Sequence, residues 1–100
     1  MILYNVTVKI DLDIHDEWLH WMKYVHIPEV MMTGKFKRHR ILRLMEEHSD
    51  EGITYAIQYE ADSMEDIMSY QSDHAPALQK DHSQRYEGKF VAFRSLLKEV

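Results

Sequence analysis

Apolar and polar side chains alternate strictly at the start of the chain, over residues 2–10. The even positions are all apolar, whereas three of the odd positions, Asn5, Thr7 and Lys9, are polar. A period of two places all even side chains on one side of an extended backbone. The segment is therefore predicted to be a β-strand with one strongly apolar face. The residues of that face are Ile2, Tyr4, Val6, Val8 and Ile10.

From residue 14 onward the apolar positions follow a helical period instead. Apolar residues recur at steps of three and four, which predicts a helix with one buried stripe. Asp13 is a suitable N-cap for this helix. Pro28 is expected to interrupt it near His26, because proline lacks the amide that would continue the hydrogen-bond ladder. A second short piece is predicted over about residues 28–32, with Gly34 as its stop. The stripe consists of Ile14, Trp18, Trp21, Met22 and Val25.

Two strands are predicted in the middle of the chain. Residues 35–47 carry apolar side chains of both parities near their end, so this strand is expected to make contacts on both sides of the sheet. Residues 48–52 are polar and end in glycine, which indicates a turn. Residues 53–59 alternate cleanly and form the most regular of the later strands, with Ile53, Tyr55, Ile57 and Tyr59 on one face.

The last third of the chain is predicted to form a long helix followed by a strand. Ser63 and Asp66 resemble a capping box, Pro76 must kink or restart the helix, and Gly88 ends it. The predicted stripe of this helix is Met64, Ile67, Met68, Gln71, Ala75, Leu78, His82 and Tyr86. In the strand over residues 90–97, one face carries Phe90, Ala92, Arg94 and Leu96.

The resulting order of elements is β-α-β-β-α-β. Right-handed crossovers turn that order into an α+β, ferredoxin-like arrangement of four antiparallel strands with two helices on one face. The length of 100 residues suits a single domain over residues 1–100.

Composition and charge narrow the classes of function. The absence of cysteine excludes disulfides, thiolate metal sites and a cysteine nucleophile. A net charge of −5 disfavours nucleic-acid binding, since a negative surface repels phosphate backbones. No apolar run approaches the ~18 residues of a membrane helix, and no secretory signal precedes the first strand. We therefore expect a cytoplasmic protein that binds neither nucleic acid nor membrane.

The sheet face away from the helices is unusually apolar in this arrangement. A solvated face would not carry so many apolar side chains, and a second copy stacked on it is the simplest cover. The sequence therefore predicts a homodimer through the helix-free face. The residues expected there are Leu3, Ile41, Met45, Val91, Phe93 and Leu97.

Several short blocks of the chain resemble those of a small, uncharacterised bacterial family of unknown function. The resemblance runs nearly from end to end and implies a ferredoxin-like fold, with a dimeric α/β-barrel as the wider group. That group includes cofactor-independent monooxygenases, haem-degrading enzymes, small-molecule isomerases and proteins without known chemistry. The resemblance supplies no activity for this chain. The blocks are Asn5-Val6-Thr7, Trp18-x-x-Trp21-Met22, His26-Ile27-Pro28, Thr33-Gly34-Lys35-Phe36 and Lys89-Phe90-Val91-Ala92-Phe93-Arg94.

His82 is the most suggestive single residue, because it falls in the centre of the second helix's apolar stripe. It is either an acid–base group or ligand facing a pocket, or a core histidine bonded to Tyr86, a strand tyrosine or a backbone carbonyl. Desolvation is expected to lower its pKa below the ordinary value.

His26 and Arg94 are the other polar candidates. His26 stands before Ile27 and Pro28, where it is either a catalytic group beside a pocket or a cap on unpaired helix carbonyls. Arg94 shares a parity with Phe90, so its guanidinium either binds an anionic ligand between helices and sheet, or reaches solvent at an interface or edge, or pairs with a carboxylate such as Glu60.

The aromatic residues Trp21, Tyr55 and Tyr86 are predicted to bind a ligand, and plain core packing is the alternative. No metal site is expected: Glu17 and His20 have the spacing of a metal half-site, but they lie on the polar side of the helix without a matching second pair. A cofactor is not expected either.

Three hypotheses of function follow. The first is an enzyme or binder of a small, partly aromatic or acidic metabolite, in a pocket between helices and sheet. The second is a non-enzymatic interaction protein whose dimer is the functional unit. The third is a haem-binding or cofactor-independent monooxygenase-like protein. An open cavity beside His82 would favour the first over the second.

Overall fold

The computed structural model describes residues 1–47 and 51–100. Residues 48–50, within the predicted polar turn, lie outside the described residues. The strands are β1 (Ile2–Asp11), β2 (Arg38–Arg43), β3 (Gly52–Ala61) and β4 (Phe90–Lys98). The α-helices are α1 (His15–Trp21), α2 (Ile27–Met32), α3 (Met64–Asp73) and α4 (Ala75–Arg85). A 3₁₀ turn, Leu12–Ile14, precedes α1, and a π-helical turn, Met22–His26, joins α1 to α2.

The four strands form one sheet in the order β2-β3-β1-β4, and every neighbouring pair is antiparallel. Tyr4 of β1 lies opposite Tyr59 of β3 and Leu96 of β4, which sets the register across the centre. The predicted α+β class and four-stranded antiparallel sheet are confirmed.

The core lies between the helices and one face of the sheet. Even-numbered residues of β1 and odd-numbered residues of β3 face this core, as their alternation predicts, and all of them are buried except the half-buried Ile2, Val6 and Ile53. They pack against buried residues of all four helices and of the π turn. The residues without exposed surface, or nearly so, are Ile10, Trp18, Ile27, Val30, Ile57 and Ile67.

The π turn corrects the prediction for the first helix. The amide of Ile27 donates to the carbonyl of Met22, five residues back, so this turn holds one residue more than an α-turn. Compared with a regular α-helix, every later residue is therefore rotated backwards about the helix axis by about 100°, the rotation of one α-helical residue. Val25, predicted on the buried stripe, is therefore exposed, and Ile27 and Val30 are buried instead. Pro28 enters α2 within its first turn, where its missing amide costs no hydrogen bond.

The long second helix is two helices, α3 and α4, separated at His74. The restart just before Pro76 was predicted, and the Ser63 hydroxyl accepts the Asp66 amide as the capping box requires. The predicted stripe is wrong for Met64, Met68 and Gln71, which are exposed; Ile67 and Tyr70 are buried in α3.

Strand β2 is shorter than predicted, and its register corrects the expected composition of the open face. Ile41 lies opposite Ile57 and packs against the core, so it belongs to the helix-covered face. Leu42 lies on the open face in its place. Met45 lies beyond the end of β2 and is 91% exposed.

The helix-free face, called the open face below, has two unlike halves. Its β4–β1 half is the more apolar one, although β1 contributes Asn5, Thr7 and Lys9 to it: Leu3 lies opposite Leu97, and Val91 and Phe93 are 68% and 62% exposed. Its β3–β2 half is polar, where Arg38 makes a bidentate ion pair with Glu60.

No helix within residues 1–47 and 51–100 combines the length and the apolar character that crossing a membrane requires.

Candidate functional site

A small cavity lies between the sheet and the helices, at the centre of the covered face. Its volume is about 40 Å³, enough for about three water molecules. Apolar side chains from β1, β4 and α4 form much of its wall, including Val6, Val8, Ala92 and Leu78. The polar residues that line it are Tyr4, His26, Tyr59, Tyr70, Gln79, His82 and Arg94.

His82 reaches this cavity from the middle of α4 and is only 8% exposed. The indole Nε1 of Trp18 donates a hydrogen bond of 3.0 Å to its Nε2. Because an indole nitrogen can only donate, Nε2 must be unprotonated. His82 is therefore the neutral tautomer with its proton on Nδ1. The helical pattern predicted its position, but not that Trp18 would be its partner.

His26 is the last residue of the π turn and faces His82 across the cavity. The two ring centroids are 5.8 Å apart in a T-shaped arrangement, and the Trp21 ring stacks on His26 at 5.0 Å. Nδ1 of His26 is buried and has no hydrogen-bond partner within the part of the chain that the structure describes.

Both histidines are held neutral by their surroundings. Burial lowers the pKa of each imidazole from 6.5 to about 4. The neighbouring His26 and the Arg94 guanidinium lower the pKa of His82 further, while the Asp81 carboxylate raises it. Neither ring carries charge at neutral pH, and the predicted lowering for His82 agrees in direction and cause.

Arg94 lies on β4 opposite Val6, and its side chain points to the helix-covered side. It lines the cavity and is exposed, so it stands at the cavity's mouth. Among the described residues no carboxylate forms an ion pair with it, and Glu60, the partner considered from the sequence, pairs with Arg38 instead. Pairing with Glu60 is therefore absent, whereas the exposed position of Arg94 agrees both with contact to solvent and with binding of a ligand at the mouth.

Three polar residues of the cavity were not singled out as site residues by the sequence. Tyr59 and Tyr70 present phenols, and burial raises the pKa of both, so both stay protonated. Gln79 of α4 adds an amide. Tyr70 lies three residues after the buried Ile67, a spacing that could have indicated its inward position.

The aromatic candidates lie around the cavity rather than on its wall. Trp21 and Tyr86 pack against the His82 ring at 5.9 and 5.5 Å. Tyr55 lies on the far side of Trp18, where its hydroxyl is 2.7 Å from Nε2 of His15. Tyr55 is thus engaged outside the cavity.

The part of the chain that the structure describes contains no group of three or more His, Asp or Glu placed to hold a metal ion.

Comparison with known proteins identifies the family. The profile of the Domain of unknown function (DUF4286) matches residues 1–100. The chain belongs to this family. This confirms the resemblance drawn from its sequence blocks. Among curated protein sequences, none matches the chain at a significant level.

Solved structures share the fold of this DUF4286 chain at low sequence identity. A dimeric ferredoxin-like protein from an uncultured marine organism aligns with a TM-score of 0.71 and 13% identity, covering 100% of this chain and 95% of that one. SnoaB, a cofactor-independent oxygenase from Streptomyces nogalater, has a TM-score of 0.63 and 11% identity, over 98% and 92% of the two chains.

A third solved structure carries a porphyrin. A variant of MhuD with two manganese protoporphyrin IX molecules per active site has a TM-score of 0.66 and 17% identity, over 100% of this chain and 94% of that one. At such identities these likenesses show a shared ferredoxin-like fold.

Proposed function

We propose that this protein binds a small anionic molecule in the cavity between helices and sheet. Arg94 holds the anion at the mouth, and His26 and His82 contact it inside. The observation that carries the proposal is the meeting of His26, His82 and Arg94 on the wall of one cavity, where Arg94 has no ion-pair partner among the described residues.

The polar groups of the cavity favour an anion over a cation. Arg94 is the charged side chain on its wall, and the neutral tautomer of His82 offers an Nδ1–H donor. The phenols of Tyr59 and Tyr70 are protonated and can donate as well. A carboxylate accepts such bonds through both oxygens, and its bond to a guanidinium is charge-assisted.

The size of the cavity limits the part of the ligand that enters it. A volume of about 40 Å³ accommodates about three non-hydrogen atoms, which is the size of a carboxylate group. The remainder of the ligand then projects past Arg94 towards solvent. Gln79 and Leu78, both half-buried, line the same cavity and can contact that remainder.

The arrangement can also move a proton. Nδ1 of His26 has no hydrogen-bond partner among the described residues, and the ring can take up a proton, whereas Nε2 of His82 is already occupied by Trp18. His26 is thus the acid–base group of the site, and His82 is a donor with a defined orientation. The fold shared with a protein described as a cofactor-independent oxygenase is compatible with an enzyme that needs no cofactor.

We further propose that two copies pair through the open face. The apolar half of that face, centred on Phe93, Val91 and Leu97, is exposed in the single chain. Two solved structures of the same fold are described as dimeric, which supports such a pair. A non-enzymatic dimeric protein is the second candidate function, and the open face is the observation that favours it.

Haem does not fit the residues present. A cavity of about 150 Å³ is needed to hold benzene, and a porphyrin is much larger than the roughly 40 Å³ enclosed here. Nε2 of His82 is also engaged by Trp18 and is not free to bind iron. We expect haemin to give no Soret shift that His82→Ala abolishes; such a shift would contradict this fit.

Titration with small carboxylates tests the proposed function. Acetate and propionate should shift the histidine ring signals of His26 and His82 in a saturable way, whereas acetamide and propionamide should not. Arg94→Met should weaken binding about tenfold, the value of one charge-assisted contact. Arg40→Met is the matched control, because Arg40 is exposed on the open face and bonds Gln58. Equal responses to acids and amides, or no response, would contradict an anion site.

A further inference from the structure

We propose that the cavity takes up its carboxylate ligand together with one proton, which His26 holds while His82 stays neutral. This inference rests on the proposed function and adds to it the form in which the ligand is bound. It follows from the different hydrogen bonding of the two histidines.

Because of the hydrogen bond from Trp18, the imidazole rings of His82 and His26 differ in how readily they take up a proton. A proton on Nε2 of His82 would break the hydrogen bond that this nitrogen accepts from the indole N–H of Trp18. Nδ1 of His26 is buried and unpartnered, so adding a proton there breaks no bond. With the ring centroids 5.8 Å apart, a first imidazolium also opposes a second. The two histidines therefore bind one proton between them, and His26 is the residue that becomes protonated.

The charges around the pair keep that proton out of the empty cavity. Asp81 on α4 favours an imidazolium and Arg94 on β4 opposes it. The other titratable groups on the wall are the phenols Tyr4 of β1, Tyr59 of β3 and Tyr70 of α3. Burial raises the pKa of Tyr59 and Tyr70, so these two carry no charge near neutral pH. The lowered pKa of about 4 for His26 is the sum of burial and these charges.

A carboxylate inside the cavity reverses this balance. It offsets the Arg94 charge and supplies an opposite charge beside the ring, which favours the imidazolium. The proton comes from solvent and forms an N–H bond on Nδ1 of His26. The ligand is then held as an anion between a guanidinium and an imidazolium.

Nitrogen NMR of the full chain, labelled with ¹⁵N-histidine and titrated with propionate, tests the proposal. At pH 6.5 saturating propionate should move the His26 nitrogens to imidazolium shifts and leave His82 as the neutral tautomer. Between about pH 5 and the bound-state midpoint the dissociation constant should rise about tenfold per pH unit, as uptake of one proton requires, and it should level off above that midpoint.

The possible results of this titration distinguish a failure of the inference from a failure of the proposed function. Binding without a charged His26, or with the charge on His82, overturns the inference and leaves the anion site standing. No binding between pH 5 and 8 overturns both. His26→Gln should bind propionate with an affinity that no longer depends on pH in this range, and His20→Gln, an exposed histidine of α1, is the control that should behave as the parent. Should His26→Gln not fold, the measurement on the parent protein decides.

Discussion

The two faces of the sheet arise from the same alternation of side chains along the strands, but helices cover one face and leave the other open. On the covered face, Trp18 and Ile67 have no exposed surface, and two histidines share a small cavity. On the open face, Phe93 and Val91 remain largely exposed, and the Arg38–Glu60 ion pair lies on the other half of the same face. The covered face is closed by the chain's own helices, whereas the open face keeps exposed apolar side chains that the proposed second copy would cover.

Because only one face is shielded from solvent, charged and polar groups behave differently on the two faces of the sheet. On the open face, charged groups meet solvent, which screens them, so they act weakly on one another. On the covered face, burial removes solvent, and the pKa of His26 falls to about 4 even without a neighbouring cation in contact. A site that must control the charge of a ligand therefore belongs on the covered face.

The largest expected effect is on the core of the covered face. Trp18→Ala should lower the free energy of unfolding by about 3–5 kcal/mol, because it leaves a large buried void. Val91→Ala on the open face is the matched control, with a cost within about 0.5 kcal/mol in the monomer. Urea unfolding at several protein concentrations measures both.

Unfolding at several protein concentrations also tests whether a second copy covers the open face. If a second copy covers the open face, the cost of Val91→Ala should grow with protein concentration, because pairing then contributes to stability. A cost that is equal at all concentrations would argue against that cover.

The next effect concerns pairing itself. Phe93→Glu places a charge in the centre of the proposed interface and should weaken the dimer by at least about 100-fold, or about 3 kcal/mol. Tyr24→Glu is the control, since Tyr24 is an equally exposed aromatic residue of the π turn on the helical side. Sedimentation velocity across a dilution series gives the result. A parent protein that is monomeric at micromolar concentration would refute the dimer.

A smaller effect follows from the pKa of His82. Since that pKa is about 4 in the folded chain and ordinarily 6.5, the unfolded chain binds more protons between these values. Stability should be fully present above about pH 6.5 and should fall as pH drops towards 4, where the loss levels off. The lowered pKa corresponds to about 3 kcal/mol at most, and partial solvent access reduces this to about 2 kcal/mol.

His82→Gln should reduce the loss of stability over that pH range without abolishing it, because His26 has the same lowered pKa, and His20→Gln should leave the loss unchanged. Denaturant unfolding at pH 7.5, 6, 5 and 4 measures the slope. A ring that titrates above pH 6.5 in NMR would contradict the desolvated environment of His82.

The smallest effect tests whether the covered face holds one polar site or two. Tyr55→Phe removes the hydroxyl bonded to His15 and should cost about 1 kcal/mol of stability. It should leave the titration of His82 unchanged, because Tyr55 lies outside the cavity wall. Tyr24→Phe, at an exposed position, is the control. A shifted His82 titration would show that the two polar groups are coupled.

Much of the covered face was predictable because it depends on local periodicity. The alternation of β1 and β3 placed Tyr4 and Ile57 on the buried side, and the stripe of the second helix placed His82 between helix and sheet. The cap at Ser63 and the interruption at Pro76 were also readable, since each depends on residues a few positions away. The side of the sheet to which Ile41 belongs was not readable, because its strand has apolar residues of both parities and only pairing with β3 sets its register.

The sequence by itself determined the α+β class, the antiparallel sheet and the inward position of His82, because these follow from periods of two and 3.6 residues along the backbone. Tertiary structure alone decided the chemistry of the site. The extra residue of the π turn and the strand pairing that places Arg94 opposite Val6 set which polar groups meet in one cavity. Trp18 and His82 are 64 residues apart, and their hydrogen bond, which makes His26 the free base, exists only because the helices pack on the same face of the sheet.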